Sequence, residues 1–276
     1  MVDDDSPRRR CRVVVVSDVH LGTAGCRAGE LNSYLKSVEP EQLILLGDIV
    51  DLWYFRKGAW SESQTKVVRR VLKFATRGIP VHYVTGNHDE ALRRFTELCL
   101  GELHLIDKME LNLDGKRTWF IHGDAFDLIV GTPRWLAWIG GLSYEGLEWL
   151  GGWVNSLRRL FGLPRVSLAN VFKRNLPAAA RHIAKFEDAV IRSAAERGVD
   201  AVVCGHLHVP ANREAQYAGK TVRYLNSGDW VDSCSALEYR DGAWHLVRFA
   251  DLLDAGQVET PKLDDTVPVL PEPAAA

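Results

Sequence analysis

The run Arg12-Val13-Val14-Val15-Val16-Ser17-Asp18-Val19-His20-Leu21-Gly22 decides how the rest of the chain reads. Four consecutive β-branched residues make a strand that is apolar on both faces, as a strand covered by two layers must be. The break into Asp18 and His20 is abrupt. Two residues apart on an extended segment, both side chains face the same side. The pattern predicts a strand over 12–17 that delivers two metal-capable groups at its C-terminal end.

Working outward, the pattern recurs. Residues 43–46 are apolar and end in Gly47-Asp48-Ile49-Val50-Asp51. Residues 81–84 lead into Gly86-Asn87-His88-Asp89. Residues 117–121 end in His122-Gly123-Asp124, and residues 201–204 in Gly205-His206-Leu207-His208. Helices are predicted between these strands over 28–38, 61–77 and 90–98. The second has Val67, Val68, Val71, Leu72 and Ala75 at helical spacing and Gly78 as a stop. Strands alternating with helices predict an α/β layered domain. A second, mixed sheet is expected from residues 110–113 and 117–121, joined by Asp114-Gly115, and from 213–217, 221–225, 235–239 and 244–249.

Composition narrows the class. Of 276 residues, 46% are hydrophobic and 25% charged, which excludes wholesale disorder and fibrous repeats. Thirty-four basic against 36 acidic residues give a net charge of −2, so no nucleic-acid partner is expected. Cys11, Cys26, Cys99, Cys204 and Cys234 form no Cys-x-x-Cys pair, which favours a reducing, cytoplasmic setting over a disulfide framework. The run Val13–Val16 is too short for a signal-peptide core, and no uncharged apolar stretch reaches 18 residues. Any membrane contact is therefore expected to be peripheral, at the inner face. The expected organisation is a frayed tail over 1–11, one domain over 12–250, and a disordered tail over 251–276 rich in Asp, Pro and Ala.

Residues 130–185 depart from the strand rhythm. Eight basic residues (Arg134, Arg158, Arg159, Arg165, Lys173, Arg174, Arg181, Lys185) stand against Glu145 and Glu148, and four of the nine tryptophans lie here. Leu147, Leu150, Val154, Leu157 and Phe161 recur at helical spacing. This stretch reads as a helical lid, basic and aromatic.

Ligand sites in open α/β sheets form beyond the C-terminal strand ends. Five strand ends here deliver Asp, His and Asn, and five of the nine histidines lie in these clusters. Imidazole, carboxylate and amide donors suit two divalent ions, Mn first, with Fe or Zn also accepted. Two such ions about 3.5–4 Å apart can clamp a phosphoryl group and lower the pKa of a bridging water. Cys204 reads as a small buried residue rather than a ligand. Asp229 and Trp230 read either as site rim or as turn and core. His82, His104, His182 and His245 read as structural or exposed.

Asp18-x-His20, Gly47-Asp48-x-x-Asp51, Gly86-Asn87-His88-Asp89, His122 and Gly205-His206-x-His208 resemble the signature of the calcineurin-like metallophosphoesterases. The resemblance implies a four-layer sandwich: two mixed β-sheets flanked by helices. It implies that Asp18, His20 and His208 bind one ion and Asn87, His122 and His206 the other, with Asp48 bridging. It implies that His88 assists the leaving group, oriented by Asp51. The wider pattern, with Ser17 to Gly22, Arg134-Trp135-Leu136 and Asn226-Ser227-Gly228-Asp229-Trp230, resembles the branch containing UDP-2,3-diacylglucosamine pyrophosphohydrolases. That implies cleavage of a lipid-linked nucleotide sugar to UMP and a lipid sugar phosphate. The lid would give an apolar groove, and Lys173 and Arg174 the cations for the pyrophosphate. Where that branch carries Arg after the Asn, this chain carries His88, as the broader family does. The alternatives are a phosphodiesterase or phosphatase acting on another substrate, and a non-catalytic metal-dependent binding protein.

Overall fold

The computed structural model describes residues 8–53, 60–131 and 177–261. Strand β1 (Arg9–Val16) carries the decisive run, and its alternation separates two cores. Val13 and Val15 face one, Val14 and Val16 the other, and all four are fully buried. Strand β2 (Val38–Leu46) does the same, with Leu43 and Leu45 on one side and Ile44 and Leu46 on the other. A strand apolar on both faces must lie between two layers, and these two do.

β1 pairs in parallel with β2, Val16 opposite Leu45, and β2 pairs in parallel with β3 (Val81–Val84), Leu46 opposite Val84. β5 (Leu103–Ile106) continues in parallel beside β3, and β4 (Cys99–Leu100) closes that edge antiparallel. On the other side of β1 run β11 (Ser235–Arg240) and β12 (Ala243–Arg248), both antiparallel to their neighbours. The second sheet has five strands. β6 (Met109–Leu113) lies against β7 (Lys116–Phe120), followed by β8 (Ala201–Cys204), β10 (Lys220–Asn226) and β9 (Ala211–Tyr217). β7, β8 and β10 are mutually parallel, so their C-terminal ends share one edge.

The core between the sheets holds Val13, Val15, Ile44, Leu46, Val84, Phe120, Val203, Leu225 and Leu237. Helices α1 (Ala28–Lys36) and α2 (Glu62–Thr76) cover the outer face of the first sheet through Leu31, Tyr34, Leu35, Val67 and Phe74. Ser61 caps α2 by accepting the Gln64 N–H. On the outer face of the second sheet lies α4 (Pro177–Arg197), with Phe186, Val190, Ala194 and Ala195 against Trp119, Val202 and Tyr224. Preceding it in the chain is α3 (Phe126–Val130), a short helix that directly follows the His122-Gly123-Asp124 turn. The architecture is therefore helix, sheet, sheet, helix, as expected, but residues 235–239 and 244–249, expected in the second sheet, form β11 and β12 beside β1 in the first.

Details differ from the sequence reading. The helix expected over 90–98 is one 3₁₀ segment, Glu90–Phe95, with no buried residue. β4 and β5 were not anticipated, because their residues are at most partly buried and show no clean alternation. β1 begins at Arg9, inside the expected tail. Arg9 pairs with buried Glu238 at 2.9 Å, and the Tyr34 hydroxyl donates to the same carboxylate. The expected boundary at 251 falls inside α5 (Phe249–Asp254), which buries Phe249 and Leu252. Of the expected lid, residues 132–176 lie outside the described residues, and from Pro177 the chain is α4. Leu46 is fully buried between the sheets, immediately before the Asp48 loop. Leu46→Ala should lower stability by about 2–5 kcal/mol, read from the midpoint of urea unfolding of the metal-free protein.

Candidate metal centre

The ends of β1, β2 and β3 in one sheet meet the ends of β7, β8 and β10 in the other, and their loops are laced by backbone hydrogen bonds. The N–H groups of Val19 and His20 donate to Asp48 O, that of Gly205 to His122 O, and that of Trp230 to Asp18 O. Asp18, His20, Asp48, His206 and His208 all have left-handed backbone, with φ between 51° and 67°. They are half of the ten non-glycine residues with positive φ among those described. Each costs on the order of 1–2 kcal/mol that surrounding structure must offset. Gly86 permits a close approach: a Cβ there would lie 2.2 Å from Asp48 Oδ1.

The side chains form neighbouring groups, with His20 shared between Asp18–His208 and Asp51–His88, and Asp48 grouped with His122 and His206. Asp18, His20 and His208 present ligand atoms within 4.8 Å of one another, and so do Asp48, His122 and His206. In the first, His208 Nε2 lies 3.2 Å from Asp18 Oδ1 and 3.4 Å from His20 Nε2. In the second, His122 Nε2 lies 3.3 Å from Asp48 Oδ2. The Asn87 side-chain oxygen is buried with no hydrogen-bond partner among the described residues. His88 follows it, its N–H donating to Asp48 Oδ1 at 2.8 Å.

His20, His122 and His206 pass a second test. A metal-bound imidazole gives its other N–H to an oxygen, which fixes tautomer and orientation. His20 Nδ1 lies 2.9 Å from Asp51 Oδ2, and His122 Nδ1 lies 2.9 Å from Leu46 O. His206 Nε2 lies 2.9 Å from Asp127 Oδ2, whereas His208 Nδ1 stands 3.9 Å from buried Asp229 Oδ2, beyond hydrogen-bond distance. The ring nitrogens on the inner side, together with Asp18, Asp48 and Asn87, form an N/O donor set that fits two divalent cations.

Charge is tuned the same way. Burial opposes the charged forms of Asp18 and Asp48. The adjacent histidines, His208 for Asp18 and His122 for Asp48, nevertheless hold both carboxyls below the usual range. Burial also opposes an imidazolium at His122, yet the Asp48 carboxylate raises that ring to about 10. Cys204 is buried, and its thiol is pushed up to about 12, unsuited to act as a thiolate ligand.

Several contributors carried no assigned role in the sequence. Asp89 accepts the N–H groups of Ile49 and Gly86 and the Tyr83 hydroxyl, tying the β2 and β3 loops together. Its signal was only its place after His88. Ser17 Oγ reaches Asp18 Oδ2 at 2.5 Å and Ser227 Oγ at 2.7 Å. Asp229 is a turn residue, accepting the N–H groups of Val231, Asp232 and Ser233 on Oδ1, while its other oxygen faces His208. Trp230 is core, fully buried against Tyr34. Trp53, half-exposed, lies 4.5 Å from the His88 ring between centroids. Lys173 and Arg174 lie outside the described residues.

The fold and the donor set together define a class of enzyme. A family model, calcineurin-like phosphoesterase, matches residues 11–210, and the chain belongs to that family. It is a metal-dependent phosphoester hydrolase. A UDP-2,3-diacylglucosamine hydrolase from Aliivibrio fischeri (strain MJ11) is 25% identical over 245 residues, covering 85% of this chain and 97% of that protein. One from Nitrosococcus oceani is 24% identical over 250 residues, covering 84% and 92%. Among solved structures, Yfce, a phosphoesterase from E. coli, matches with 18% identity and a TM-score of 0.41, covering 87% of this chain and 93% of that one.

In the metal-free protein, His122 keeps its proton up to a pH of about 10. A cation that takes this nitrogen must displace that proton. Mn²⁺ titrated calorimetrically at pH 8, in buffers of different ionisation enthalpy, should release protons. Affinity should rise with pH, by at most about tenfold per unit for this proton.

Proposed function

We propose that this chain hydrolyses the pyrophosphate bond of UDP-2,3-diacylglucosamine, or of a similar lipid-linked nucleotide sugar, to UMP and a lipid sugar phosphate. The observation that carries the reading is two neighbouring N/O donor groups, Asp18–His20–His208 and Asp48–His122–His206, with His88 beside Asp48. The names of the relatives, matched over more than nine-tenths of their own length, support the substrate.

In this reading Asp18, His20 and His208 hold one divalent cation, Asn87, His122 and His206 hold the other, and Asp48 bridges. Manganese is the first choice. Two such ions supply charge neutralisation on the phosphoryl oxygens and make a water acidic enough to attack near neutral pH. The chain's own residues do the positioning. Asp51 Oδ2 lies 2.9 Å from Nδ1 of His88 and from Nδ1 of His20, so one carboxylate orients both the proton donor and a ligand. His88 Nε2 then lies 4.0 Å from Asp48 Oδ2, where it can hold a proton for a leaving oxygen. Lys173 and Arg174 are assigned to the pyrophosphate. No helix among the described residues is long and apolar enough to cross a membrane. Reaching a lipid substrate therefore falls to peripheral contact through the basic, aromatic stretch 130–185.

His88 favours a second reading, a metallophosphoesterase acting on an ester with a more basic leaving group. The two separate in a direct assay. With Mn²⁺, the protein should release UMP from UDP-2,3-diacylglucosamine, and Asp48→Ala should lower kcat about 10³-fold or more, given that both cations lose a ligand. No UMP release alongside robust cleavage of an alkyl phosphodiester would transfer the assignment to the second reading. His88→Ala should reduce alkyl phosphodiester cleavage by about 10²–10⁴-fold, as for loss of a general acid, and pyrophosphate cleavage by less.

A further inference from the structure

Asp127 makes the outer contact to His206 from a helix rather than from a strand-end loop. It sits in α3, five residues after His122 in the chain, and its side chain is 34% exposed. Its Oδ2 lies 2.9 Å from His206 Nε2. The His206 ring is held from other directions too. Its centroid is 5.2 Å from that of His122 and 5.8 Å from that of Phe186. Phe186 in turn packs edge-on against Phe126 of α3, 5.9 Å between centroids. The backbone cannot shift to compensate: His206 N–H is donated to the Asp18 carboxylate, and its φ is 67°. Gly123, which starts the turn into α3, has φ of 117°, and a Cβ there would lie 2.9 Å from Phe186. α3 is thus seated against His206 by a tight turn and one aromatic pair. Its Leu128 and Ile129 face outward.

We propose that Asp127 is a positioning residue for the second cation, holding His206 as the Nε2–H tautomer so that Nδ1 is the nitrogen offered beside Asp48 and His122. The inference rests on the reading of those side chains as a cation site. It makes one cation depend on α3. Oxygens at the end of β2 and in the loop after it, Leu46 O and Asp51 Oδ2, orient His122 and His20, but the oxygen that orients His206 rides on a short helix attached through Phe126. A bare surface ion pair at this place would contribute little and would leave cation binding untouched.

The test uses the full-length protein stripped of metal and titrated with Mn²⁺ by calorimetry, with electron paramagnetic resonance counting bound ions. Wild type should bind two equivalents. Asp127→Ala should keep the first and bind the second about 10–100-fold more weakly, and Asp127→Glu should recover part of the loss. Thermal melts confirm that the variants fold, as the partial exposure of Asp127 leads one to expect. Histidine ¹⁵N spectra of the Zn²⁺-loaded wild type should show His206 protonated at Nε2. A second affinity in Asp127→Ala within twofold of wild type would overturn the proposal, as would an Nδ1–H tautomer at His206. Wild type binding fewer than two equivalents would overturn the cation-site reading itself, and the role of Asp127 with it.

Discussion

A carboxylate taken out of water needs compensating charge, and five of them converge on one strand edge here. Asp18, Asp48, Asp51, Asp89 and Asp229 are all at most 2% exposed. Their described partners are histidines, hydroxyls and backbone N–H groups. Neutral donors lower the cost of burying an anion without cancelling its charge. Histidine can supply a positive charge, as the elevated pKa of His122 shows, but only by holding a proton. Divalent cations would resolve the imbalance more completely, with the inward histidine nitrogens serving as ligands once the protons leave. The concentration of negative charge is thus the reason that the site calls for metal.

The scaffold tolerates this arrangement because it is rigid on both sides. Parallel registers align the ends of β1, β2 and β3, and those of β7, β8 and β10. Apolar side chains fill the space between the two sheets directly beneath the site. Five site residues in left-handed backbone store several kcal/mol of strain in total, taking on the order of 1–2 kcal/mol each. That is a large fraction of a domain's net stability. Only a loop pinned at both ends by buried strands can hold it.

This division explains what was legible in the amino-acid sequence. A strand buried on two faces announces itself, as Val13–Val16 does, and a polar cluster at its end is local and visible. Convergence of five such ends follows from parallel topology, so Asp18, Asp48, His122 and His206 could be grouped without coordinates. Strands with partly exposed faces leave no such trace, and β4 and β5 went unread. The first half of β2 was hidden by Glu39, Pro40 and Glu41. Outer partners are harder still. Asp127 contacts a histidine 79 positions away, and Asp229 faces one across a turn. Nothing in local spacing encodes such pairs, because they arise from how a helix or turn is seated after the sheets have formed.

The identity of residue 88 bears on which bond the site was shaped to cleave. An arginine there would offer fixed positive charge and two-pronged contact with phosphate oxygens but would give up no proton. His88, joined to Asp51 at Nδ1, can transfer one from Nε2. A sugar phosphate leaves as a stable anion and has little need of that proton, whereas an alkoxide cannot leave readily without it. Trp53 against the His88 ring screens that proton donor from bulk water on one side. Asp51 lies 2.9 Å from Nδ1 of both His88 and His20, so one carboxylate fixes two imidazoles of the cluster. A site built this way keeps a positioned imidazole available for general acid catalysis whichever substrate it serves. For a pyrophosphate, the decisive contribution then shifts to the cations and to the groups that grip the nucleotide and the lipid.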